Sequence, residues 1–115
     1  MDRMWTVRLT VTAQRDYDEI LTWTLENFGT SQVNVYNETL LLALEDLTAG
    51  PDLLGVKHHG EIGADIFTLH VARKGRKGRH FLMLRVRQNQ KILEVLRILH
   101  DRMDLVRHIV KDDLH

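Results

Sequence analysis

Residues 92–104, ILEVLRILHDRMD, limit what this chain can fold into more than any other stretch. From Ile92 to Leu99 only Glu94 and Arg97 interrupt an apolar run. Strand alternation sets Ile92, Glu94, Leu96 and Ile98 on one face and Leu93, Val95, Arg97 and Leu99 on the other. Both faces are mainly apolar, so the spacing predicts a strand inside a sheet that is covered on both sides. His100-Asp101 ends it. Asp101 suits a helix N-cap, and Asp104 adds a carboxylate to the first turn of a short amphipathic segment from Arg102 to Val110.

A chain of 115 residues is expected to form a single domain, residues 1–115, with a core of its own. It has no cysteine, which excludes a disulfide framework and thiol chemistry and fits a reducing compartment. The N-terminus, MDRMWTVRLT, is charged and alternating rather than signal-like, and no apolar run is long enough to span a bilayer, so a soluble cytoplasmic protein is expected. The formal charge is zero, yet it is unevenly spread. Residues 1–56 hold nine acids against three bases, and residues 57–100 hold ten bases against three acids. Such polarity could steer a partner to one surface, or be no more than a solvated exterior.

Residues 4–12 alternate Trp5, Val7, Leu9 and Val11 with polar neighbours and read as a strand. Thr12 suits the N-cap of a first helix whose buried stripe is Tyr17, Ile20, Leu21, Thr24 and Phe28, with Gly29 as its stop. A second helix starts at Thr30 or Ser31, carries Val33, Tyr36, Leu40, Ala43, Leu44 and Leu47 inward, and ends at Gly50-Pro51. The short joint makes an antiparallel helical hairpin. Residues 51–64 read as a loop whose Leu53, Leu54, Val56 and Ile62 dock on the core. Strands follow at 65–73 and 79–87 around the turn Lys74-Gly75-Arg76-Lys77-Gly78, and Gln88-Asn89-Gln90 turns into the last strand. The fold class is therefore α+β, in the order β-α-α-β-β-β: a helical hairpin on one face of a mainly antiparallel four-stranded sheet, with a short C-terminal helix.

One hairpin covers one face, yet the last two strands are apolar on both. Either the C-terminal segment, through Met103, Leu105, Val106 and Ile109, covers the second face, or a helix or strand from another polypeptide does.

Arg73, Lys74, Arg76, Lys77 and Arg79 form the densest basic run, continued along the strands by Arg85, Arg87, Lys91 and Arg97. These cations could contact phosphates or an acidic protein, or keep a hairpin tip solvated. Seven histidines do not make a metal site: His58 and His59 are adjacent, and no HxxxH or HExxH spacing occurs. His70 and His80 fall on neighbouring strands and read as partly exposed strand residues. His100, ending the last strand beside Asp101, could serve as an acid or base in RNA cleavage with Arg73, Arg85 or Arg97 supplying positive charge, or could make only structural hydrogen bonds. No nucleophile motif or glycine-rich phosphate loop is present, and no cofactor is expected.

The segment Arg97-Ile98-Leu99-His100-Asp101-Arg102-Met103-Asp104, with this order of elements, resembles the closing motif of the ParE branch of the RelE/ParE toxin superfamily. The likeness runs from about residue 4 to 110. It implies the toxin of a type II toxin–antitoxin pair, of the kind used in plasmid stabilization. Such a toxin inhibits DNA gyrase by protein binding rather than catalysis, and a ParD-like antitoxin neutralises it. The surface implied for partner binding comprises Arg73, Arg76, Arg79, Arg85 and Arg97 as cationic contacts, with His100, Arg102 and Met103 at the end of the last strand. No membrane and no direct nucleic-acid contact enter that reading. RelE-type ribosome-dependent ribonucleases share the architecture but commonly carry an arginine opening the strand after the loop, where this chain has Ala64-Asp65, and often a tyrosine or histidine near the C-terminus; no tyrosine follows Tyr36 here, while His100 keeps the ribonuclease option open. The enzymatic alternative is a RelE-like messenger RNA interferase using His100, Arg85 and Arg97. A binding module that has lost toxicity is a third.

Overall fold

The structure is a computed structural model and describes residues 4–103. Strand β1 (Thr6–Leu9) leads into helix α1 (Val11–Phe28) and helix α2 (Thr30–Asp46), which closes in a 3-10 turn at Leu47–Ala49. Four strands follow: β2 (Lys57–His58), β3 (Ile66–His70), β4 (His80–Arg87) and β5 (Ile92–His100). They form one sheet in the order β1-β5-β4-β3-β2. Among the described residues β1 and β5 run parallel and the other three pairs are antiparallel. The α+β architecture is as expected, with β2 as an additional short edge strand inside the loop of residues 51–64. The expected C-terminal helix lies outside the described residues.

The first strand is shorter than its alternation predicts, because Thr10 rather than Thr12 caps α1. Its hydroxyl accepts the Ala13 N–H at 3.0 Å and donates to the Leu96 carbonyl at 2.9 Å, while its own N–H reaches the Val95 carbonyl at 3.0 Å. One residue thus starts the helix and pins it to β5. Gly29 caps both helices at φ 91°, ψ 179°, a conformation open to glycine and few others. Gly50, at φ 97°, lies under the Trp5 indole, and a Cβ there would stand 2.7 Å from Nε1.

Leu82, Leu84 and Val86 of β4 pack with Leu93 and Val95 of β5 against Leu40, Ala43 and Leu47. Opposite them, Ile66, Met83, Leu96 and Leu99 make a second buried cluster joined by Ile62 and Phe81. The sheet is therefore apolar on both faces. Strict alternation fails once on β5. Met83 pairs with Arg97 but Leu84 pairs with Val95, leaving Leu96 as an extra residue. Such a bulge reverses the facing of the residues beyond it, so Ile98 joins Leu93 and Val95 on the helical side and Leu99 joins Leu96 on the other. Two residues expected in the core are solvent-facing: Phe28 is 62% exposed and Leu54 89%.

Candidate functional site

β1 pairs with β5 only as far as Val95, so among the described residues the second half of β5 has no strand on that side. The first turns of α1 take over part of the edge. Asp16, whose side chain is only 11% exposed, accepts the Ile98 N–H at 2.9 Å and holds Arg97 through Nε at 2.8 Å and a second guanidinium nitrogen at 3.2 Å. Beyond this brace α1 and the end of the sheet diverge into a groove of about 710 Å³. Ile20, Trp23, Phe28, Ile98, Leu99 and Met103 form its apolar walls, and Asp16, Glu19, Tyr36, Arg79, His80, Arg97 and His100 contribute polar groups. Trp23 and Phe28 meet edge to face at 5.5 Å on the rim, Trp23 being 57% exposed. Exposed aromatics beside an apolar cleft are the signature of a docking surface.

The polar end of the groove is organised around Tyr36. Its oxygen accepts the Arg79 N–H at 3.0 Å, and its own proton faces His80 Nδ1 at 2.7 Å. Burial raises the Tyr36 pKa, which keeps that proton in place at neutral pH. His80 stands 5.3 Å from His100, ring edge to ring face. Burial and then the neighbouring His100 push the His80 pKa down to about 4, against the weaker pull of Asp101 and Asp16. His80 is therefore neutral at physiological pH, with its proton on Nε2. His100 accepts the Arg102 N–H on Nδ1 at 3.2 Å. On the next strand His70 accepts the Ala72 N–H on Nδ1 at 3.0 Å and faces Asp101 with Nε2 at 3.1 Å. That bond, ahead of the Arg79 charge, lowers the Asp101 pKa.

Of the eight residues singled out from the sequence for partner binding, the groove gathers Arg79, Arg97, His100 and Met103. Arg79 is largely exposed, 3.5 Å from Asp101. Arg102 adjoins at the strand end. The others lie elsewhere. Arg73 bonds Asp46 at 3.1 Å and the Leu54 carbonyl at 2.8 Å. Arg76 sits in the β3–β4 turn, where its N–H closes onto the Arg73 carbonyl. Arg85 pairs with Asp65 at 3.3 Å, from the β4 positions that alternate with the helix-facing Leu84 and Val86. His100 and Arg97 therefore share the groove, and Arg85 is not among its lining residues. Sequence reasoning missed Trp23, Tyr36 and His80. Trp23 carried a signal, as a large aromatic off the buried stripe of α1. The meeting of Tyr36 with His80 carried none, since 44 residues separate them.

The family described as ParE toxin of type II toxin-antitoxin system, parDE, matches residues 7–105. The chain belongs to the ParE toxin family. Solved structures share the ParE fold. The chromosomal ParDE system of P. aeruginosa superposes with a TM-score of 0.69 at 18% identity, covering 86% of this chain and 98% of that one. The RelBE2 toxin–antitoxin complex of Mycobacterium tuberculosis gives 0.58 at 23% identity, covering 87% and 94%. A YoeB/ParE toxin from Agrobacterium tumefaciens gives 0.54 at 15% identity, covering 83% and 96%. No curated protein matches the chain. Among the described residues no helix is long and apolar enough to cross a membrane.

Proposed function

We propose that this ParE-family toxin acts by binding DNA gyrase, without catalysis, and that a ParD-like antitoxin neutralises it by folding a segment into the groove between α1 and the end of β5. The family match over residues 7–105 carries the reading. The groove supports it, with an aromatic rim and apolar walls suited to an amphipathic segment that orders on binding. Many cations of the β3–β4 turn and the strands are already engaged within the chain: Arg73 and Lys74 with Asp46, Arg85 with Asp65, Arg87 with Glu94 and Arg97 with Asp16. Recognition therefore rests more on apolar burial than on a field of unpaired charge.

Purified full-length protein should inhibit gyrase supercoiling in vitro, and co-expression of the ParD-like partner should lift both that inhibition and growth arrest. Ribosome-dependent cleavage of messenger RNA, abolished by His100→Ala, would replace this reading with the RelE-like one. Growth unaffected by expression of the chain alone would favour a module without toxicity.

A further inference from the structure

His80 and His100 are hydrogen-bond donors that no described residue satisfies. In each ring Nδ1 already accepts a hydrogen bond, from the Tyr36 hydroxyl and from the Arg102 N–H respectively, which leaves Nε2 as the N–H donor of either ring. His70 has the same arrangement but directs Nε2 at Asp101. The Nε2 atoms of His80 and His100 have no acceptor among the described residues, and both rings line the groove together with Arg79; Asp101 stands 3.5 Å from both the Arg79 guanidinium and His100 Nδ1.

We propose that His80, His100 and Arg79 form a carboxylate-binding subsite, and that its ligand is an aspartate or glutamate side chain on an apolar segment of a partner polypeptide. Two N–H donors and one cation match the needs of a single carboxylate. A phosphate dianion fits less well, because Asp16, Glu19 and Asp101 around the groove repel a doubly charged group about twice as strongly as a single carboxylate. The source is a polypeptide because a free carboxylate would leave Trp23, Phe28 and Met103 uncovered, at 57%, 62% and 43% exposure. Apolar side chains to either side of the acid would cover them.

This deepens the antitoxin reading and rests on its premise that a polypeptide occupies the groove, but the subsite can be tested without any partner. Full-length nitrogen-15-labelled protein is titrated with 3-phenylpropionate, its neutral amide and phenyl phosphate, while imidazole resonances are followed by NMR. The carboxylate should move the Nε2 signals of His80 and His100 and raise the pH at which His80 titrates. The amide should disturb only Trp23. Arg79→Gln, at a largely exposed position, should weaken carboxylate binding by about tenfold without altering the fold. Imidazole shifts that are absent with the carboxylate, equal with the amide, or stronger with phenyl phosphate would each overturn the assignment. Carboxylate binding without complex formation with a ParD-like protein would instead sink the partner's identity and leave the subsite standing.

Discussion

Asp16 stands in for a missing strand residue. It accepts an N–H from the open edge of β5 and pairs with Arg97 in a nearly enclosed setting. Removing a carboxylate there strands both a guanidinium and a backbone donor. Asp16→Ala should lower unfolding free energy by about 2–4 kcal/mol in urea titrations. Asp16→Asn, which keeps an acceptor for Ile98, should lose less. At His80 the consequence is a pH dependence. Its folded pKa, about 4, lies below the ordinary histidine value of 6.5, so between those values the unfolded chain binds more protons than the native one. Its stabilising contribution is complete above pH 6.5 and is lost as pH falls towards 4. Replacing His80 with phenylalanine should flatten that part of the stability profile, read as the denaturation midpoint against pH.

Among the elements, α1 is held by its first turn, the helical hairpin by Gly29 at its joint, and the 3-10 turn after α2 by Gly50. Thr10 serves the helix N-terminus and the bulged stretch of β5 together. Thr10→Ala should therefore cost about 1–2 kcal/mol, visible as a lower thermal midpoint. Gly50→Ala meets two penalties, a φ of 97° and a Cβ directed into the Trp5 ring. The expected loss is about 2–4 kcal/mol, accompanied by a change in Trp5 fluorescence as the indole shifts. The bulge at Leu96 belongs to this scale too. By turning Ile98 towards the helices it makes the floor of the groove apolar, and it brings His100 to the side where His80 and Tyr36 meet.

For the whole molecule, part of the uneven charge of the sequence is settled inside the fold. Acids of the first half meet bases of the second in the pairs Asp16–Arg97, Asp46–Arg73 and Asp46–Lys74. Asp16 and Asp46 thus cross-brace the helices against the sheet and the β3–β4 turn. A docking surface built this way should depend on its aromatics. Replacing both Trp23 and Phe28 with serine should weaken the complex with a ParD-like antitoxin by tenfold or more, roughly 1.4 kcal/mol per decade, in calorimetric titration. Both side chains are exposed, so the fold should survive the change.

The sequence by itself determined the order of elements apart from β2, the helical hairpin with its joint at Gly29, the two-sided apolar character of the last strands and the family's closing motif. These come from periodicity and local backbone preference, which act over a few residues. Only the tertiary structure decided where β5 changes phase, which threonine caps α1, how β2 pairs at the sheet edge, and which cations are consumed by internal acids. Each depends on contacts between segments tens of residues apart, where a partner's position rather than local propensity selects the outcome. The groove is such a product. It exists because β1 ends before β5 does and α1 leans away beyond Asp16, and no local pattern in the chain encodes that gap.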